Sequence, residues 1–263
     1  MAEEYYNEVK RRLKNKGKVS AAWLHMASNV SAEILANAGF DALVIDVEHS
    51  PVDYQTILSM CQAIKGTGAL PFARAPWNDL IALKRISDCG VMGISVPYVN
   101  TAEEAREAVK RVKYPPLGVR GIAGSPRACG YGMNRGHYLQ RANDENLVMI
   151  AIETPEGIKN LPEIMKIEDL DGIFIGPMDL STSMGMMGQF DREVFKAAIR
   201  QIEDIVLPSD KFLATVANDA DAAQKLYDKG YNFVIMMSDA VDLSKMAAKA
   251  VETFKKNNPE VCR

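Results

Sequence analysis

LVMIAIETPEGIKNLPEIMKIEDLDGIFIGPMDLSTSMG, residues 147 to 185, decides how the rest of the chain is read. Leu147–Ile152 and Gly172–Ile175 are apolar runs too short for globular helices and rich in Ile, Val and Phe, the signature of buried strands. Each run leads to an acid: Glu153 directly after the first, and Asp179 just past Gly176-Pro177 after the second. Thr154-Pro155 reads as an N-cap with proline at the first helical position, opening a helix to about Glu168. Two strands joined by a crossover helix run parallel. Both acids then fall at the same carboxyl edge of the sheet, on neighbouring strands. A pair of hard oxygen ligands at one mouth suits Mg²⁺ or Mn²⁺. The spacing equally fits two acids that cap helices independently.

The alternation continues outward in both directions. Strands are expected at 19–26, 42–46, 70–75 and 91–99 before this unit, and at 211–216 and 233–237 after it. Helices are expected at 4–16, 31–38, 53–65, 78–88, 101–113, 137–143, 192–205, 220–229 and 240–256. Eight strand–helix repeats in 263 residues, with no linker or change in composition, point to one α/β domain, a single (β/α)8 TIM-type barrel over 1–263. A doubly wound sheet would carry a glycine-rich turn after its first strand, and WLHMASNVSAE, residues 23–33, has none.

Composition narrows the function. Apolar residues make up 48%, enough for a large core, and a net charge of −3 without a basic tract gives no reason to expect a nucleic-acid partner. No apolar run approaches the ~20 residues of a membrane span. The charged N-terminal segment, expected as a helix within 1–17, lacks the apolar stretch of a signal peptide. Cys61, Cys89, Cys129 and Cys262 form no C-x-x-C or dense framework, so reduced thiols and a cytoplasmic location are expected. Four inert thiols are expected; Cys129, in a loop, is the one worth testing for reactivity.

In a barrel the chemistry lies on the segments that follow the strands. Asp46, Glu48 and His49 follow the second strand, Arg74 ends the third, and Glu153 and Asp179 follow the fifth and sixth. A histidine beside carboxylates makes a good general base. His25, with no acid beside it in sequence, is the weaker candidate, and His137 reads as structural or exposed. Arg74, on a buried strand, needs an anionic partner or a cavity. A cation, a base and an arginine at one mouth suit chemistry that builds an enolate. The glycine-rich stretch 114–136, carrying Arg120, Arg127 and Arg135, is expected as a long loop over this mouth, where it would favour anionic substrates. Met184–Gly188 is expected to be a lid or a contact between subunits.

Taken in order, SAEILANAGFDALVIDVEHSP, ARAPWND, YPPLGVRG, IETPEGIKNLPEI and DGIFIGPMDLSTSMG resemble the HpcH/HpaI-type metal-dependent pyruvate aldolases of the phosphoenolpyruvate/pyruvate barrel superfamily. The resemblance covers nearly the whole chain. It implies a (β/α)8 barrel that binds Mg²⁺, Mn²⁺ or Co²⁺ and cleaves a 4-hydroxy-2-oxo acid to pyruvate and an aldehyde. By the same resemblance Glu153 and Asp179 hold the metal, His49 is the base, Arg74 stabilises the enolate, and Asp88 raises the basicity of the histidine. The residues themselves leave Asp46 equally eligible for that last role. Two substrate-binding positions depart from the pattern. Ala151 stands where many relatives have a glutamine that contacts the oxo-acid, and Met178 where many have alanine. The resemblance further implies a C-terminal helix exchanged between subunits, and a homo-hexamer. Packing of that helix on its own barrel is the simpler expectation.

Overall fold

The computed structural model describes residues 5–259. Residues 1–4 of the expected N-terminal helix, and Cys262, lie outside them. Eight parallel strands close into a barrel in sequence order: β1 (Val19–Leu24), β2 (Ala42–Asp46), β3 (Leu70–Arg74), β4 (Gly93–Val96), β5 (Leu147–Ile152), β6 (Gly172–Ile175), β7 (Phe212–Val216) and β8 (Phe233–Ser238).

The two-residue period of each strand sorts its side chains between two cores. One set, including Ala21, Trp23, Val44, Phe72, Met149, Phe174, Phe212 and Phe233, fills the barrel. The other, including Leu43, Ile45, Ile94, Val148, Ile150 and Ile173, faces the helices. Phe72 and Phe212 need room inside. A Cβ on Gly93 would stand 2.5 Å from the Phe72 ring, and one on Gly172 would stand 2.4 Å from that of Phe212. These two strand glycines therefore serve packing.

The floor of the barrel is closed by α1 (Glu8–Lys14). Val9 and Leu13 join the interior core. The Asn7 side chain donates to the carbonyls of Met92 and Glu145, and Lys10 pairs with Asp171 at 3.0 Å while donating to the Asn146 carbonyl. Burial pushes the Lys113 amine, which also donates to Asn146, down to about 8.

Outside the strands lie α2 (Asn29–Asn37), α3 (Tyr54–Ile64), α4 (Leu80–Asp88), α5 (Ala102–Val112), α6 (Arg135–Glu145), α7 (Pro155–Ile164), α8 (Pro177–Ser183), α9 (Glu193–Val206), α10 (Ala220–Lys229) and α11 (Asp239–Asn257). Capping explains most of the starts. Asp53, Asp79, Thr101, Thr154, Asp219 and Ser238 each accept a backbone N–H from the first turn of the helix they precede.

One expectation is corrected and one alternative is set aside. The stretch 114–136 does not cover the mouth. It follows α5, which has already carried the chain back to the amino-terminal end, and it lies there. Arg127 donates to the carbonyls of Cys61 and Cys89, near the ends of α3 and α4, and Arg120 is buried against Asp88. The last helix does not pack on its own barrel: every residue from Leu243 to Asn257 is exposed, including Met246 and Phe254. Only its root is fixed. Asp239 accepts the backbone N–H groups of His25 and Met26 and the Ser31 hydroxyl.

Candidate active site

The inward period of four strands, extended to the carboxyl end of the barrel, brings up polar residues. On β1 the series Ala21, Trp23 continues to His25. On β2, Ala42 and Val44 lead to Asp46; on β3, Phe72 leads to Arg74; on β5, Met149 and Ala151 lead to Glu153. Asp46 and Arg74 are register partners across β2 and β3.

Asp46 is fully buried and is the hub. Its Oδ1 accepts the Arg74 Nε–H at 2.9 Å and the backbone N–H groups of Glu48 and His49 at 3.1 and 3.4 Å; its Oδ2 lies 3.3 Å from His25 Nε2. Burial alone would raise its pKa. The hydrogen bonds from His25 and Arg74 outweigh that and hold the carboxyl well below the usual carboxylate range. Arg74 also lies 3.2 Å from Glu48 Oε2, with its guanidinium carbon 4.5 Å from the Trp23 ring centre. Burial would discharge it, but Asp46 and Glu48 together raise its pKa and keep it a cation.

Glu153 is 3% exposed, and its Oε2 accepts the Tyr98 N–H at 2.9 Å. Tyr98 makes that bond from a left-handed backbone, φ 57°. Burial raises the Glu153 carboxyl to about 7; the Tyr98 bond and Arg74 oppose this, while Asp179 and Glu48 add to it. A Cβ on Gly176 would stand 2.3 Å from Glu153 Oε1, so glycine is required for this carboxylate to lie against the turn that follows β6. Asp179 is in the first turn of α8, a short helix the sequence reading did not anticipate. Burial also raises the Glu48 carboxyl, against the pull of Arg74 and His49.

Asp46, Glu48 and Glu153 thus surround one buried arginine, and Asp179 adds its charge to that of Glu48 and Glu153, a crowding that a divalent cation would relieve. Hard carboxylate oxygens at an open mouth suit such an ion. Among the described residues no three His, Cys, Asp or Glu side chains form a complete cage. Two carboxylates with water and substrate oxygens is the way Mg²⁺ is usually held.

His49 reaches the same mouth with its side chain 61% exposed, its Nε2 3.7 Å from Glu48 Oε2. His25, ranked lower from sequence, is the histidine whose ring meets Asp46, and its Nδ1 lies 2.8 Å from the Ser238 hydroxyl. Asp88 is not brought to His49 within the chain. It ends α4 at the amino-terminal end and pairs with Arg120 at 2.6 Å. Ala151 is buried in the barrel below Glu153, and Met178 is half-exposed on α8. His137 is structural, its Nε2 accepting the Tyr5 N–H. Cys129 is buried, its thiol directed at the carbonyls of Gly124 and Pro126, in keeping with an inert thiol. Burial pushes the Cys61 thiol up to about 12 and that of Cys89 to about 11. Met184–Gly188 is tied back through the Gly188 N–H to the Ser181 hydroxyl, with Met186 buried and Met187 exposed. A cavity of about 490 Å³, lined by Tyr5, Cys61, Arg127 and Tyr138, opens at the opposite end from these groups.

A fixed guanidinium and crowded carboxylates serve a substrate on which oxyanion charge develops. Fold and mouth together fit a barrel enzyme that stabilises a developing oxyanion. A family model for HpcH/HpaI aldolase/citrate lyase matches residues 20–245. The 4-hydroxy-2-oxo-heptane-1,7-dioate aldolase of Escherichia coli is 40% identical over 249 residues, covering 94% of this chain and 95% of its own. An HpcH/HpaI aldolase/citrate lyase family protein from Burkholderia cenocepacia J2315 superposes with a TM-score of 0.90 at 30% identity, over 95% of this chain and 99% of that one. The HpcH/HpaI aldolase from Desulfitobacterium hafniense DCB-2 gives 0.85 at 27% identity, over 94% and 96%. The chain belongs to the HpcH/HpaI aldolase/citrate lyase family. It is an aldehyde-lyase.

Proposed function

We propose that the chain catalyses reversible cleavage of a 4-hydroxy-2-oxo acid to pyruvate and an aldehyde, with Glu153 and Asp179 holding a divalent cation. The observation that carries this reading is the convergence of Glu153, Glu48 and Arg74 on the carboxyl end of the barrel, with Asp179 acting on both carboxylates. A cation held there supplies Lewis-acid stabilisation of the oxo-acid oxygens. Arg74, fixed through Nε by Asp46, has its outer nitrogens available for the oxygen on which enolate charge grows. His49, in the open mouth, takes the proton from the 4-hydroxyl, directly or through a water. The C3–C4 bond then breaks, leaving the aldehyde and the pyruvate enolate, and C3 takes up a proton to complete pyruvate. Ala151 offers the substrate no side-chain donor, which leaves the backbone beside Met178 and the Arg74 side chain to orient the oxo-acid.

The test is to incubate the protein with pyruvate and a panel of aldehydes, with and without Mn²⁺, and to detect adducts by mass spectrometry. Adducts formed only with the metal support the reading; none with any aldehyde overturns it. A lyase for a CoA thioester would want cations at the mouth for the nucleotide. Arg120 and Arg127 are engaged at the other end, so the aldol reading is favoured.

The exposed α11 supports assembly into a homo-oligomer through exchange of this helix. A hexamer is the size the family resemblance implies.

A further inference from the structure

Above Arg74 and Glu153 the mouth carries an aromatic pair. Trp77 follows β3 and Tyr98 follows β4; their rings stack with centroids 6.2 Å apart and planes 29° apart. Both rings are exposed, Trp77 at 56% and Tyr98 at 40%. The backbone N–H of Tyr98 is the one bonded to Glu153, so the pair stands directly beside the proposed pyruvate site.

Charge in the loops around this platform is one-sided, and the cation that reaches them from α5, Arg111, is engaged by the Asn78 carbonyl and side chain and by Glu107. Through the segments that follow the first seven strands at this end, 25–28, 47–53, 75–79, 97–101, 153–154, 176–192 (which includes α8) and 217–219, the only Lys or Arg is Arg192, at the exposed N-cap of α9. The same segments carry seven acids: Glu48, Asp53, Asp79, Glu153, Asp179, Asp191 and Asp219. Arg74, the one cation inside the mouth, is already held by Asp46 and Glu48. A second carboxylate on the aldehyde half of a substrate would lose hydration and meet acids in place of a counter-ion. An uncharged alkyl or aryl tail would instead cover the exposed aromatic faces.

We propose that Trp77 and Tyr98 form the aldehyde subsite, and that it takes uncharged, apolar aldehydes in preference to carboxylate-bearing ones. This rests on the aldolase reading above. It departs from what the name of the Escherichia coli relative would suggest, since cleavage of a heptane-1,7-dioate leaves the second carboxylate on the aldehyde.

The experiment compares two acceptors of matched shape with the Mn²⁺-loaded protein and pyruvate: succinic semialdehyde, and 4-methylpentanal, in which an isopropyl group replaces the carboxylate. Exchange of pyruvate methyl protons in D₂O is followed separately by NMR. The expected result is exchange, with kcat/KM at least about tenfold higher for 4-methylpentanal, the scale of discrimination an apolar pocket provides. Trp77→Ala should lower kcat/KM for 4-methylpentanal about tenfold, chiefly through KM, and Trp77→Arg should move the preference toward succinic semialdehyde. Exchange together with a wild-type preference for succinic semialdehyde overturns the subsite and leaves the aldolase reading standing. Absence of exchange overturns both.

Discussion

His25 and Arg74 share one carboxylate: Nε2 of the histidine lies 3.3 Å from Asp46 Oδ2 while Nε of the arginine donates to Oδ1 at 2.9 Å. The guanidinium is therefore held by an anion that is itself held from its other side. His25 is fixed in turn by the Ser238 hydroxyl on Nδ1. In its neutral form, the hydrogen bond to Asp46 places the ring proton on Nε2 and leaves Nδ1 to accept from Ser238.

Removing His25 should loosen Arg74 without touching the metal. His25→Ala is expected to lower kcat for cleavage about tenfold or more while leaving the Mn²⁺ affinity unchanged, and His25→Gln, which keeps a donor toward Asp46, should recover part of the loss. Steady-state kinetics beside calorimetric Mn²⁺ titration separates the two effects. Equal kcat in wild type and His25→Ala would show that Arg74 needs no such support.

Asp46 also ties stability to pH. Its carboxyl is held below the ordinary range on folding, so its contribution is present above about pH 4 and is lost as the pH falls toward the folded value. Asp46→Asn should destabilise the protein at pH 7 by about 3–5 kcal/mol, the usual cost of breaking a buried ion pair. It should also flatten the acid side of the stability profile. Urea unfolding at pH 3.5, 5 and 7 reads both, and parallel profiles for wild type and variant would contradict the assignment.

Glu153→Ala or Asp179→Ala should remove Mn²⁺ binding while circular dichroism remains that of the folded barrel. Gly176→Ala is a subtler probe. Its added methyl would enter the space of Glu153 Oε1, so Mn²⁺ affinity should fall although no ligand is altered. Unchanged calorimetry in all three would place the ion elsewhere.

His49→Ala should slow aldol cleavage by about 10²–10⁴-fold, the range for loss of a general base, with Mn²⁺ binding intact. Cleavage at the wild-type rate would pass the role to another group at the mouth.

Light scattering at micromolar concentration should give a mass well above that of one 29.0 kDa chain. Met246→Asp combined with Phe254→Asp, both exposed on α11, should shift it downward. A wild-type monomer would contradict exchange of this helix.

The barrel was legible because its signals are local. Ala42–Asp46, Leu147–Ile152 and Gly172–Ile175 fall at their expected bounds, since an apolar run and its capping residue are contiguous in the chain. The acids at the ends of β2 and β5 were legible for the same reason, through the rule that strand ends carry the chemistry. What escaped were relationships between elements. His25 has no acid near it in sequence; its partner is on the next strand, and only counting the inward period on β1 and β2 together would have joined them. The arginines of 114–136 suggest a substrate contact, but α5 is a return crossing and leaves the stretch at the opposite end of the barrel. Asp88 resembles a family residue by its neighbours in the chain, yet its own neighbours in space are those of Arg120.

The plug at the floor has a consequence for synthesis. α1 leaves the ribosome well before most of its partners: Arg12 meets Asp41 early, but Glu145 and Asn146, then Asp171, and for Lys16 the carbonyl of Lys211, come much later. The segment that closes the barrel must wait, amphipathic and only partly partnered, until Asp171 has emerged. A nascent chain halted before Asp171 has no completed floor, so the quality of this fold is decided late, by a segment translated early.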